Sequence, residues 1–274
     1  MDDVEWIEKM KIEPIEVMNK DGSFNHKAGK YKGMKSAQAR EAIIKDLEEI
    51  GAVVKVEPIE HVVNVHERCG TDIEILMTDQ WFIKYLDLKD DMLKWGNKLD
   101  WYPEHMKNRY DNWVKGLKYD WNISRQRFSG VPFPLWFCKK CGNVVLAKES
   151  QLPVDPLKDK PPVAACPKCK SKDFIPEKDV MDTWATSSLT PQIAAELMPK
   201  KLYKKLYPMS LRPQAHDIIT FWLFNTVVKS QLHNKVNPWH DVMISGWALD
   251  PHGKKMSKSK GNIVEPQVII DKYS

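Results

Sequence analysis

The stretch Lys254-Lys255-Met256-Ser257-Lys258-Ser259-Lys260-Gly261-Asn262 sets lysines among small hydroxyl residues, a methionine and a glycine. It follows Trp247-Ala248-Leu249-Asp250-Pro251-His252-Gly253, which reads as a strand end and a tight turn. Such a loop can bring several cations and hydroxyls to one polyphosphate. By charge alone a solvated face or a nonspecific polyanion patch is the more usual reading of such a run. The order of its residues and the elements on either side separate these readings.

Working outward, Asp241 to Ser245 reads as a strand through Val242, Met243 and Ile244 that delivers the chain to the lysine loop. Before it, Arg212-Pro-Gln-Ala-His216-Asp217 opens a helix from Ile218 to Gln231, apolar on most sides and therefore largely buried. Further back, Asp179 to Trp184 reads as a short buried strand entering a loop, and Pro191 to Met198 as a short helix. The cluster Lys200-Lys201 and Lys204-Lys205 fits a solvated face. Strand, helix, strand in this order is the rhythm of a parallel α/β sheet, where ligands bind beyond the carboxyl ends of strands.

Two cysteine pairs lie upstream, Cys138-Lys-Lys-Cys141-Gly142 and Cys166-Pro-Lys-Cys169-Lys170, separated by the 24 residues from position 142 to 165. A two-residue spacer lets both sulfurs of one turn face a single point, so four thiolates can surround one Zn²⁺ tetrahedrally. The proline-rich run from Pro153 to Pro162 suits the loop of a zinc ribbon. A set with every position filled by protein is closed, which makes it structural. Redox dithiols are the competing reading, and neither pair lies in a thioredoxin-like βαβ pattern. Cys69 is left over and is expected to be a buried thiol.

The N-terminal region reads as a small α+β unit. Ile12, Ile15 and Val17 lead into the turn Asn19-Lys20-Asp21-Gly22-Ser23. Ser36 can cap a helix whose apolar face is Ile43, Leu47 and Ile50, with Gly51 as its stop. Short β-rich runs are expected at Val53–Val56, His61–His66 and Asp72–Met77. Between Asp87 and Leu117 aromatic and charged residues mix at helical spacing, with Met106, Tyr110, Trp113 and Leu117 on one stripe. Such a stripe is a core contact, and no chemistry is assigned to it.

The 274 residues, 42% hydrophobic and 29% charged, describe a globular protein. A net charge of +5 permits a nucleic-acid partner without requiring one. No secretory h-region is visible at Met1-Asp2-Asp3-Val4-Glu5-Trp6, and the apolar run Ile218 to Val228 is far shorter than the ~20 residues of a membrane span. The expectation is a cytoplasmic chain with no membrane partner.

Lys255-Met-Ser-Lys-Ser259 is the signature of class I aminoacyl-tRNA synthetases, and Gly261-Asn262 extends it. Added to it are Trp121-x-Ile-Ser124-Arg-Gln126, Asp179-x-x-Asp182-Thr-Trp184-x-Thr-Ser-Ser188 and Arg212-Pro-x-x-His-Asp217-Ile-Ile219, with Gly246-Trp247 and Asp250-x-x-Gly253 before the lysines. With these the chain closely resembles the valyl-tRNA synthetases, of the archaeal type. The resemblance covers nearly the whole chain but only the middle of those longer enzymes. The Asp182-Thr-Trp184 and Arg212-Pro-Gln stretches favour the valyl over the isoleucyl and leucyl members.

The resemblance implies an α/β fold, the C-terminal half of a Rossmann-like parallel-sheet catalytic domain with an inserted zinc ribbon and the distal part of a β-rich editing domain. It divides the chain into residues 1–80 (editing domain), 81–135 (return connection), 136–178 (ribbon) and 179–274 (catalytic half with the lysine loop). It implies that L-valine attacks ATP, taken with Mg²⁺, to give valyl-adenylate, and that tRNA(Val) accepts the valyl group. Lys255 and Lys258 would be catalytic at the phosphates. Ser257 and Ser259 would offer hydroxyl contacts beside Met256, and Gly246 and Trp247 would lie near the adenine. Asp217 would fix the substrate ammonium, and Trp184, Ile218 and Trp222 would wall the pocket for a branched side chain. An apolar pocket rejects threonine only weakly, so such enzymes edit threonyl-tRNA(Val) in a separate domain. The full enzyme is expected to be monomeric.

The sequence also departs from that pattern. No H-I-G-H-like motif occurs, nor do the threonine- and aspartate-bearing editing stretches. Asp2-Asp3-Val4-Glu5-Trp6 resembles what lies just beyond those stretches, and Asp271-Lys-Tyr-Ser274 stands where the family continues into stem-contact and anticodon-binding domains. The expectation is an internal fragment that alone neither forms valyl-adenylate nor deacylates threonyl-tRNA. A noncatalytic zinc-ribbon RNA-binding module is the alternative from another class. A P-loop hydrolase is disfavoured, because six residues separate Gly246 from Gly253 and Lys254 is followed by Lys255. No G-x-S-x-G suggests a serine hydrolase.

Overall fold

The computed structural model describes residues 6–7, 9–66 and 69–273. The Asp2 to Glu5 run and Ser274, on which the fragment expectation leaned, lie outside them. The chain divides into two compact units, one up to Asp79 and one from Gln80 onward.

In the first unit, Gly22 (φ 76°) closes a turn joined by a single bridge between Met18 and Phe24. Helix α1 (Ser36–Glu49) begins one residue after its cap, Lys35, and ends before Gly51, whose φ of 69° stops it. Ser36 is thus the first helical residue instead of the cap, and Ile43, Leu47 and Ile50 are exposed. The expected runs at residues 53–56, 61–66 and 72–77 contribute one bridge, Val65 to Asp72, and no strand among the described residues. Valine-rich segments become strands when a neighbour pairs with them and covers their side chains, and Val54 is fully exposed. Cys69 is exposed as well, because main-chain bonds between His66, Gly70 and Thr71 form a turn that presents it at a tip.

The second unit contains strands β1 (Phe82–Ile83), β2 (Asp100–Tyr102), β3 (Trp121–Asn122), β4 (Ser124–Arg125), β5 (Leu135–Cys138), β6 (Val144–Leu146), β7 (Phe174–Pro176), β8 (Val180–Met181), β9 (Met209–Ala215) and β10 (Trp239–Ser245). Its helices are α2 (Lys89–Asn97), α3 (Lys107–Gly116), α4 (Thr183–Ser187), α5 (Thr190–Glu196), α6 (Lys200–Leu206), α7 (Phe224–Asn234) and α8 (Pro266–Tyr273). The central sheet runs β2-β10-β9, parallel throughout. Antiparallel β6-β5-β7 forms the ribbon, and β1–β3 and β4–β8 are short antiparallel pairs.

Val242 and Ile244 of β10 alternate inward and pack with α2, α3 and α7, whose Met92, Tyr110, Val114, Val227 and Val228 are buried in the same core. Tyr110 Oη donates to the carbonyl of Met92 at 2.9 Å and Trp101 Nε1 to that of Gly96 at 3.0 Å, so the polar ends of these rings are satisfied inside the core. The opposite face of the sheet, with Leu211, Met243 and Tyr102, is about half exposed.

Arg212 and Pro213 lie within β9, not at the start of a helix. Proline has no N–H to give, yet an edge strand tolerates it, and among the described residues β9 pairs with β10 alone. The helical stretch then begins after Ala215 with a 3₁₀ turn (His216–Ile218) and a π turn (Ile219–Leu223) ahead of α7. The segment after Met181, expected as a loop, is the short helix α4, because Asp182 Oδ1 accepts from Trp184 N at 3.0 Å and caps it.

Candidate functional site at the carboxyl ends of the parallel strands

Strands β9 and β10 end in register, Ala215 opposite Ser245, so the residues that follow emerge side by side. His216 and Asp217 leave β9, and Gly246 and Trp247 leave β10. The rings of His216 and Trp247 lie 4.6 Å apart.

Beyond Trp247 the chain forms a small hairpin with a bridge between Leu249 and Lys255, turned at Asp250 to Gly253, whose glycine has φ 74°. Asp250 organises it. Its Oδ1 accepts from His252 N at 2.9 Å and Lys254 N at 2.8 Å, and its Oδ2 from Asn262 Nδ2 at 2.8 Å. The Asn262 amide and these main-chain N–H groups hold the Asp250 carboxyl below its usual range. Asn262 Oδ1 in turn accepts from Ser257 N at 2.9 Å, drawing the 3₁₀ turn Lys258–Lys260 back onto the hairpin. The Ser257 and Ser259 hydroxyls lie 3.0 Å apart. Sequence reasoning took Asn262 only as an extension of the lysine motif. The carboxamide twelve residues after a turn aspartate was the signal that could have found this clamp.

The hairpin turns Lys255 back onto the sheet end. Its Nζ is 3.1 Å from Asp217 Oδ2 and 4.3 Å from the centre of the Trp247 ring. Burial would raise the Asp217 carboxyl, but the hydrogen bonds from Lys255 and Trp247 and the Lys255 charge outweigh it and hold the group below its ordinary value. Asp217, Trp247 and Lys255 are therefore brought together.

The expected wall residues are not gathered into one cavity. Trp184 stacks on Phe221 with centroids 5.9 Å apart and lines a cleft of about 490 Å³ with Tyr85, Trp113, Trp121, Arg125 and Asp182. Ile218 and Trp222 are outside its lining. Trp222 packs in the core against Trp239, 5.3 Å between centroids and nearly parallel, with the Arg212 guanidinium 4.0 Å from its ring. A stacked pair of this kind contributes about 0.5–1.5 kcal/mol beyond its burial. The Arg125–Asp182 ion pair at 2.6 Å joins β4 to the cap of α4, a link that spacing alone did not reveal.

In the ribbon the sulfurs of Cys138, Cys141, Cys166 and Cys169 all lie within 4.8 Å of one another, with Cys138 to Cys169 at 3.4 Å and Cys141 to Cys166 at 3.7 Å. The corners of a tetrahedral thiolate site are about 3.8 Å apart for metal–sulfur bonds of about 2.3 Å, so this donor set fits one ion. Both turns have the same build: the main-chain carbonyl of Cys138 accepts from Gly142 N at 2.8 Å, and that of Cys166 from Lys170 N at 2.9 Å. Burial raises the Cys138 thiol, but main-chain N–H groups of Cys141 and Lys140 bring it down to about 6. At Cys141 the Asn143 N–H favours the thiolate, but the neighbouring thiols of Cys169, Cys138 and Cys166 together with burial push it up to about 12, so the crowded sulfurs do not all ionise without a cation between them.

A parallel sheet with a lysine-rich hairpin at its strand ends and a four-cysteine ribbon before it is the arrangement of an α/β domain of the class I synthetase kind. The chain belongs to the family of class I tRNA synthetases (I, L, M and V), whose pattern matches residues 4–274. It is 55% identical over 95% of its length to the valine–tRNA ligase of Thermoplasma acidophilum, and 47% identical over 99% to that of Methanocaldococcus jannaschii. It spans about a third of those relatives, 33% and 31%. Among solved structures it is similar to a leucyl-tRNA synthetase in ternary complex from Agrobacterium radiobacter K84. That match has 25% identity and a TM-score of 0.46, over 57% of this chain and 23% of the other.

Proposed function

We propose that this chain is the lysine-loop half of a valine–tRNA ligase active site. In the reaction the valine carboxylate attacks the α-phosphorus of ATP, the bond to the bridging oxygen breaks, and pyrophosphate leaves. The 3′-terminal ribose hydroxyl of tRNA(Val) then attacks the valyl carbonyl and AMP departs. Negative charge grows on the leaving pyrophosphate, and cations that meet it there lower the barrier. Lys255 and Lys258 take that role, with Ser257, Ser259 and Met256 shaping the loop and Gly246 and Trp247 beside the adenine. Mg²⁺ travels with ATP as part of the substrate.

The observation that carries the reading is the convergence of Lys255, Trp247 and Asp217 at the ends of two strands in register. Asp217 is the carboxylate for the valine ammonium, and it holds Lys255 until substrates arrive. Of the three expected wall residues, Trp184 lines the cleft and meets the side chain, while Ile218 and Trp222 lie outside that lining and Trp222 supports α4 from the core through the Ser187 carbonyl. Cys138, Cys141, Cys166 and Cys169 hold a structural Zn²⁺, which ties the two ribbon turns and takes no part in the chemistry. Residues 1–80 are part of an editing domain for threonyl-tRNA(Val), 81–135 the return connection, 136–178 the ribbon and 179–274 the catalytic half. A monomeric cytoplasmic enzyme is the setting. Among the described residues no helix is long and apolar enough to cross a membrane.

The test is a segment exchange. Residues 1–274 replace the matching third of the Thermoplasma acidophilum ligase, and amino-acid-dependent pyrophosphate exchange is measured. Valine should drive it, with leucine and isoleucine far weaker. Exchange driven by either of those instead, or none from a folded hybrid, would overturn the reading.

A further inference from the structure

Lys229 has no part in the chemistry above, yet it reaches the site from beneath. It sits on α7 among the buried residues Val227, Val228 and Ser230. Its ammonium donates to the main-chain carbonyl of Ala185 and lies 5.5 Å from the centre of the Trp121 ring. Ala185 belongs to α4, the five-residue helix that carries Trp184.

A helix that short does not hold itself, because nucleation costs more than one turn of hydrogen bonds returns. Three outside ties hold α4. Arg125 binds its cap Asp182 at 2.6 Å, Trp222 Nε1 donates to the Ser187 carbonyl at 3.0 Å, and Lys229 holds the Ala185 carbonyl in its middle. Among the described residues the charged group acting on Lys229 is Asp182, which attracts it and is itself paired with Arg125.

We propose that Lys229 is a positioning residue: by holding the Ala185 carbonyl it sets where α4 places Trp184 against Phe221, and so shapes the pocket that selects the amino-acid side chain. The selectivity clause rests on the reading of Trp184 as a pocket wall; the tie itself does not. Burial pushes the Lys229 pKa down to about 8, against the pull of Asp182. Below that pH the ammonium makes a charge-assisted bond and is drawn to Asp182 and the Trp121 face. Above it the neutral amine keeps only a weaker bond, and α4 loosens.

The experiment is ¹⁹F NMR of the chain labelled with 5-fluorotryptophan, with the Trp184 signal assigned by its loss in W184F. In the unsubstituted chain that signal should move between pH 6.5 and 9.5 with a midpoint near 8. In K229R it should keep its low-pH position throughout, and in K229M its high-pH position throughout. A Trp184 signal that does not titrate in the unsubstituted chain overturns the proposal. So does one that titrates alike in K229R, a variant that keeps the charge and serves if K229M fails to fold. No valine is present in these titrations. The pocket reading is tested apart, by adding valine to the labelled segment-exchanged ligase: a Trp184 signal unmoved at saturation refutes that reading and leaves the lysine tie standing.

Discussion

The ammonium of Lys255 lies 3.1 Å from Oδ2 of Asp217, a contact that ties the lysine loop to the strand ends. The two side chains are 44% and 34% exposed, which puts the pair among those worth about 0.2–1 kcal/mol. A polyphosphate bearing several charges competes easily with a single half-exposed carboxylate. The loop is therefore held lightly enough for a polyanion to displace the carboxylate.

Removing the carboxylate should free the loop. In D217N, early trypsin cleavage at Lys254 to Lys260 should run about 1.5- to 5-fold faster, the factor an energy of that size allows. Mass spectrometry of the first fragments reads it. An unchanged rate would show that the pair does not hold the loop.

A second hold is Asn262, which joins Ser257 N to Asp250. In N262A the Ser257 amide should lose its protection from hydrogen exchange, while the main-chain bond from Gly253 N to Asp250 O keeps the tight turn. Because the Asp250 carboxyl is held low, this ordering is present above its ordinary pKa and is lost as the pH falls through the lowered one. Protection of Ser257 that survives the substitution would contradict the clamp.

In the core, Gly96→Ala pits two effects against each other. Alanine favours a helix over glycine by about 1 kcal/mol. An added Cβ at Gly96 would sit 2.4 Å from Cε1 of Tyr110, a ring with no exposed surface, and overpacking of this kind costs about 1–3 kcal/mol. The clash should win, lowering the denaturant midpoint without changing the slope. A stabilised G96A would mean that α2 and α3 pack less tightly than their geometry indicates.

Purified without chelator, the chain should carry about one zinc, and C138S or C166S should lose nearly all of it, since a closed tetrahedral site needs four thiolates. Elemental analysis decides this. Less than half a zinc per unsubstituted chain would remove the metal from the account.

The elements around the lysine loop were readable because local and global signals agree there. The apolar run of β10 follows a buried helix and ends at a turn whose aspartate and glycine have few alternatives. The cysteine turns were equally readable, since two-residue spacing dictates their geometry. β9 was not: Arg212 and Pro213 look like a helix start, and only the absence of a second neighbour makes a proline strand acceptable. Residues 53–66 and 69–77 show the reverse, with strand-forming composition but, among the described residues, only the Val65–Asp72 bridge. Ties such as Lys229 to Ala185 and Arg125 to Asp182 join residues 44 and 57 positions apart, and no periodicity reports them.

The proposed role of the lysine loop, stabilising the charge that develops on pyrophosphate, is tested most directly by K255A and K258A in the segment-exchanged ligase. Each should lower kcat for valine-dependent pyrophosphate exchange by about 10²- to 10³-fold while the KM for ATP changes little, as expected for contacts made in the transition state. An unchanged kcat with a raised KM would show that the lysines only bind ATP, and would contradict it.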